Sequence, residues 1–145
     1  MTGTDAELLA RAVALARRCP ASTTAYAVGA LVVAPDGTEL GRGHSRETAS
    51  DVHAEEVALE RAGAAAAGAT VYSSLEPCAV RRSRPVPCAP LLVAAGVRRV
   101  VFALREPPLL AEGGGAEVLA AAGVEVVELP ELAGAARAAN PHLLD

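Results

Sequence analysis

Aromatic side chains are nearly absent from this chain: two Tyr, one Phe and no Trp in 145 residues. A core cannot be built on large rings, so in a sequence that is 52% hydrophobic it must be packed from Ala, Val and Leu. Lysine is missing altogether, and each of the 13 basic residues is Arg. Against 17 acidic residues they leave a net charge of -4, which excludes a broad basic face able to neutralise the phosphates of a nucleic acid. Long apolar runs are lacking too, since none approaches the roughly 18 residues of a membrane span. The first twenty residues carry Asp5, Glu7, Arg11, Arg17 and Arg18 where a secretory signal would be unbroken and apolar. A cytoplasmic location is therefore expected. In that reducing compartment the three cysteines read as thiols or metal ligands, not as disulfides. The length suits one substantial core and hence a single domain over 1–145.

Periodicity supplies the elements. Apolar residues at Leu8, Leu9, Ala12, Val13, Leu15 and Ala16 predict a helix over 5–19, with Thr4 as its cap and Pro20 as its stop. A buried strand over 28–34, the turn Pro35-Asp36-Gly37 and a second strand over 38–44 form a hairpin. Helix and strand then alternate: helix 53–67, strand 69–75, helix 88–95 closed by Gly96, strand 98–104, helix 115–122 closed by Gly123, strand 124–129. Alternation demands crossover connections and parallel neighbours, so the expected architecture is α/β, a three-layer αβα sandwich around a mixed five-stranded sheet.

Chemistry concentrates in His53-Ala54-Glu55, Pro77-Cys78 and Cys88. His-x-Glu alone is weak evidence, and a cysteine is often a plain buried apolar residue. Together they offer two thiols, an imidazole and an unligated carboxylate. One imidazole and two thiolates suit Zn2+, and three protein ligands leave a tetrahedral position open for water. His53 and Cys88 both open predicted helices, where the dipole favours the thiolate that a metal needs. Glu76 is expected to buttress the Pro77-Cys78 turn, and Glu56 to be a surface residue facing away from Glu55. Cys19 has no such neighbours in sequence and reads as an ordinary thiol. Arg81, Arg82 and Arg84 lie between the two motif cysteines, either as a solvated charged loop or as anion-binding groups.

These residues identify the chain as resembling the cytidine deaminase-like superfamily, from about residue 10 onward. Within it, Ser74-Leu75-Glu76-Pro77-Cys78 followed, after nine residues, by Cys88 within Arg84-Pro85-Val86-Pro87-Cys88 is similar to the pyrimidine deaminase domain of the bifunctional riboflavin-biosynthesis enzyme. Other zinc deaminases typically have about two residues between these cysteines. Gly96-Val97-Arg98-Arg99-Val100-Val101, Gly113-Gly114-Gly115, the run from Ala121 to Val126 and Asn140-Pro141 extend the likeness. The resemblance implies zinc on His53, Cys78 and Cys88, Glu55 as proton shuttle, and Arg84 where that family contacts the substrate phosphate. The chain departs from the family at Thr24-Ala25-Tyr26, where Pro-Asn-Pro would supply a base-contacting Asn, and at Val80, where a His would stand.

Tyr26 has two readings: an aromatic stacked on the substrate base, or a core residue of the first strand. One of His44 and Ser45 is expected to contact base or ribose, and the backbone N–H of Cys78 to steady developing charge. The leading expectation is hydrolytic deamination of a small aminopyrimidine, a nucleotide-like riboflavin-pathway intermediate or a related compound. A cytidine or deoxycytidylate deaminase is the alternative of the same class, and a non-catalytic zinc-stabilised interaction domain that of another. Neither nucleic acid nor membrane is an expected partner; a homo-oligomer, in the first place a dimer, is the expected assembly. Glu55 separates enzyme from interaction domain, because a structural zinc is normally closed by a fourth protein ligand and has no use for that carboxylate.

Overall fold

A computed structural model describes residues 4–20, 22, 26–49, 51–79, 87–105 and 114–141. The first helix, α1 (Asp5–Ala16), begins in a capping box: Thr4 Oγ1 accepts the Glu7 N–H and Glu7 Oε1 accepts the Thr4 N–H, each at 3.1 Å. Its apolar stripe from Leu8 to Ala16 is buried, as the spacing predicts. The hairpin is β1 (Gly29–Val33) and β2 (Glu39–His44). There follow α2 (Ala54–Ala62), β3 (Thr70–Leu75), α3 (Cys88–Ala94), β4 (Arg99–Leu104), α4 (Gly115–Ala121), β5 (Glu125–Glu128) and α5 (Ala133–Ala138).

The five strands form one sheet in the order β2-β1-β3-β4-β5. β1 runs antiparallel to both neighbours, while β3, β4 and β5 are parallel, joined by the crossovers that the alternation requires. Successive strand residues face opposite layers. Ala30, Val32, Val71 and Val100 pack with Ala58, Leu92 and Leu119 of α2, α3 and α4. Leu31, Val33, Tyr72 and Val101 pack on the other face with Leu9, Val13 and Ala136 of α1 and α5. The result is the three-layer αβα sandwich with a mixed sheet. Small side chains bring the layers close: a Cβ on Gly43 of β2 would lie 2.6 Å from Cβ of Val57, so α2 sits directly on the strand. Leu92 is fully buried in α3, and its truncation to Ala is worth about 2–5 kcal/mol.

Two segments differ from the periodicity. The predicted helix 53–67 ends at Ala62 and continues as a 3-10 turn, Gly63–Ala66, after Gly63 takes φ 60. The C-terminal α5 has no counterpart in the sequence pattern: six residues, mostly Ala, carry too few large apolar groups to show a period.

A polar network pins α1 to the sheet. Arg99 donates to Asp5 Oδ1 and Oδ2 at 3.0 and 2.5 Å, and Tyr72 donates its hydroxyl to Oδ1 at 2.7 Å. The Arg99 guanidinium, helped by the tyrosine, holds the Asp5 carboxyl below its ordinary pKa against the opposing effect of burial. Burial first, then Asp5, push the Tyr72 hydroxyl up to about 12.

Candidate metal centre and its surroundings

The carboxyl end of β3 and the amino ends of α2 and α3 meet at one edge of the sheet. His53 occupies the cap position of α2 in extended conformation, and Cys88 is the first residue of α3. Cys78 follows β3 after Glu76-Pro77. Its carbonyl accepts the Ala89 N–H at 2.9 Å, and its Sγ accepts the Cys88 N–H at 3.3 Å, so α3 begins on the turn itself. His53 Nδ1 lies 3.3 Å from Cys88 Sγ and 3.7 Å from Cys78 Sγ. The three ligand atoms are all within 4.8 Å of one another, and among the described residues this is the one such group that could hold a metal ion.

These distances fit zinc. Tetrahedral bonds of about 2.1 Å to nitrogen and about 2.3 Å to sulfur place N and S about 3.6 Å apart. Electrostatics agree, because the Cys78 thiol is pulled down to about 4, mainly by its hydrogen bond with Cys88 and then by His53 and the Cys88 N–H, against burial. Both sulfurs are buried and His53 is half-buried.

Glu55, two residues after His53, is 4% exposed. Burial raises its carboxyl to about 6; the neighbouring Cys78 adds to the rise and His53 opposes it. Ser73 Oγ is 3.4 Å from Glu55 Oε2 and 2.7 Å from the Leu75 carbonyl. A hydroxyl has one proton, and the shorter contact is the better bond. The longer contact leaves Ser73 a weak donor to the Glu55 carboxylate, which lowers its pKa by less than burial raises it.

Support for the centre comes from residues that sequence alone leaves unassigned or misreads. Glu56 is no idle surface group: its Oε1 accepts the His53 backbone N–H at 2.9 Å, fixing the residue that bears the imidazole. The legible signal is its place three residues after the cap, the spacing of a capping box. Glu76 buttresses the turn as expected, with Oε2 accepting the Ala116 N–H at 2.8 Å and facing Arg105 Nη1 at 3.8 Å. Gly115 lies so close beneath the turn that a Cβ there would be 1.6 Å from the Pro77 carbonyl oxygen.

The expected substrate contacts are placed less uniformly. His44 and Ser45 leave β2 at the same edge of the sheet, opposite Gly29 of β1. His44 Nδ1 lies 3.1 Å from the Ser45 carbonyl and Nε2 lies 3.6 Å from Glu47, which pairs with Arg61 at 2.6 Å. Ser45 Oγ accepts the Val28 N–H at 2.9 Å and so holds the start of β1. Tyr26 is 7% exposed and packs in the cluster beneath α1, on the opposite face of the sheet from the packing of α2 and α3. Arg81, Arg82 and Arg84 lie outside the described residues.

The sequence profile of the cytidine and deoxycytidylate deaminase zinc-binding region matches residues 2–104, which include all four central residues. The chain belongs to this family. Similar proteins sharpen the comparison. The diaminohydroxyphosphoribosylamino-pyrimidine deaminase of Schizosaccharomyces pombe is 34% identical over 127 residues, covering 84% of this chain and 31% of that protein. The riboflavin biosynthesis protein RibD of Mycobacterium tuberculosis is 46% identical over 99 residues, covering 68% of this chain and 28% of that one. Among solved structures, Acinetobacter baumannii RibD superposes with a TM-score of 0.82 at 35% identity, covering 97% of this chain and 39% of that one. The chain thus spans about a third of the length of the curated relatives it matches. The fold is the one its family shares, the cytidine deaminase-like fold. Among the described residues no helix is long and apolar enough to cross a membrane.

Proposed function

We propose that the chain is a zinc-dependent hydrolytic deaminase of an aminopyrimidine. The observation that carries this reading is the buried Glu55 carboxyl, raised to about 6, beside a ligand set of one imidazole and two thiols. A structural zinc would call for a fourth protein ligand, and among the described residues the group has three. Zinc, when bound by His53, Cys78 and Cys88, would supply the acidity that lowers the pKa of a water toward about 7.

The chain's own residues do the rest. With its pKa near the working pH, Glu55 can accept a proton from water and return it to a ring nitrogen of the substrate. Once water has added, the carboxylate takes the remaining proton of the new hydroxyl and passes it to the amino group, so that ammonia leaves and a carbonyl replaces the amine. Ser73 donates weakly to the Glu55 carboxylate, the form that accepts the proton, and His53, Cys78 and Cys88 would hold the metal beside it. The backbone N–H of Cys78, at the turn after β3, is the donor assigned to the developing charge.

For the substrate we favour a ribose-phosphate aminopyrimidine, the class that the name of the Schizosaccharomyces pombe relative gives for that protein. Arg84, with Arg81 and Arg82, is the assigned phosphate contact, because the segment is anchored at both ends by metal ligands and a guanidinium can bind phosphate bidentately. His44 or Ser45 is the remaining assigned contact, while the packing of Tyr26 beneath α1 favours its reading as a core residue over stacking on the base. Ammonia release from the zinc-loaded protein, screened over phosphorylated and unphosphorylated aminopyrimidines, cytosines and purines, tests the reading. The fastest turnover is expected on a phosphorylated aminopyrimidine. Faster turnover on deoxycytidylate would move the substrate class, and no ammonia from any compound would refute the enzyme.

A further inference from the structure

Arg46, just after β2, is the one non-glycine residue with positive φ among those described, at 58°. Side chains are disfavoured there, and such outliers persist only where the surroundings over-determine them. Its Nε is buried with no hydrogen-bond partner among the described residues, a second cost that glycine would avoid. What the position gains is a clamp. Arg46 Nη1 donates to the Tyr26 carbonyl at 3.1 Å and Nη2 to the Pro20 carbonyl at 2.7 Å. Its backbone N–H donates to the Val52 carbonyl at 2.9 Å, one residue before the metal ligand His53.

The neighbouring bonds show what is being held. Asn140 accepts the Ala27 N–H at 2.6 Å and donates to the Ala27 carbonyl at 3.0 Å. Ser45 takes the Val28 N–H on its hydroxyl and gives its own N–H to the Val28 carbonyl, each at 2.9 Å. From the Tyr26 carbonyl to the Val28 carbonyl, each backbone polar group is met by residues from two remote segments. This stretch runs into β1 beside β3, whose Ser74 Oγ accepts the Gly29 N–H at 3.1 Å four residues before Cys78.

We propose that Arg46 is a positioning residue: its guanidinium latches the backbone at Pro20 and Tyr26 to the loop that delivers His53, presetting the wall of the substrate site that leads into β1. The fork matters more than the charge, because a single ammonium cannot reach two divergent carbonyls in the same planar geometry.

Arg46→Gly separates this role from simple scaffolding, since glycine adopts the backbone angle freely and only the clamp is lost. Hydrogen exchange should speed at the Ala27 and Val28 amides by about tenfold or more, with α2 and β3 amides unchanged. Zinc content should stay the same. Resting on the deaminase reading, KM for the best substrate of the screen should rise about tenfold while kcat stays within about threefold. Arg46→Lys should share the raised KM. Unchanged exchange at those amides overturns the latch; full rescue by Lys overturns the role of the fork; and equal loss in kcat and KM overturns substrate positioning. A wild-type protein that releases no ammonia would instead count against the deaminase reading, leaving the exchange result to decide the latch.

Discussion

Gly115→Ala is the perturbation whose effect can be worked most directly from the packing. The added Cβ would lie 1.6 Å from the Pro77 carbonyl oxygen and 2.8 Å from its carbon. Both are backbone atoms, so no side chain can rotate away. An ordinary carbon-to-oxygen contact is about 3.3 Å, so α4 or the Pro77-Cys78 turn must move by more than an ångström. Overpacking of this kind costs about 1–3 kcal/mol, or on the order of 3–10 °C in Tm at this chain length. The turn carries Cys78 of the candidate metal group, and metal sites tolerate deviations of only about 0.2 Å in ligand distance. Zinc affinity should therefore fall by about tenfold to a hundredfold, the range for disturbed supporting contacts. Competition with a chromophoric chelator measures the affinity and thermal melting of the metal-free protein the stability. Wild-type affinity together with wild-type Tm would refute the packing of α4 against the turn.

Other substitutions probe separate links. Glu56→Ala removes the acceptor of the His53 N–H and should weaken zinc about tenfold, whereas Glu56→Gln, which keeps an acceptor, should lie closer to wild type in the same competition. Asp5 is held below its ordinary pKa, so its contribution to stability is fully present above the unfolded carboxyl pKa and is lost as pH falls through the folded one. Asp5→Asn should therefore flatten the loss of Tm at acid pH and lower Tm near neutrality, as melting over a pH series would show. Gly134 lies within α5, where an added Cβ would meet nothing within 4 Å, so Gly134→Ala should stabilise by about 0.5–1 kcal/mol in denaturant unfolding.

Most of the framework is legible in the sequence because the chain obeys simple periods. The stripe from Leu8 to Ala16 and the alternation of strand and helix after Thr70 follow from burial alone. The candidate metal group is legible because few residue types can bind zinc and these fall at helix starts and at the end of a strand. What escapes depends on contacts between distant segments. Glu56 reads as a surface neighbour of Glu55 until the cap at His53 places it three residues on. Nothing local marks Arg46, whose partners Pro20 and Tyr26 lie on another segment, and Asn140 is legible only within the Asn140-Pro141 likeness, which does not tell that its amide meets Ala27 across the fold. Gly115 reads as the first residue of a helix, and nothing local shows that the Pro77 carbonyl is what excludes a side chain there.

The central claim is that Glu55 moves the protons of a hydrolytic deamination beside zinc on His53, Cys78 and Cys88. Its most direct test compares ammonia release by Glu55→Gln and by the unaltered protein, at matched zinc content and on the same substrate. The account predicts full zinc and a loss of at least about a hundredfold in rate, the lower range for a positioned acid-base group. Nearly normal turnover by the zinc-loaded variant would contradict it.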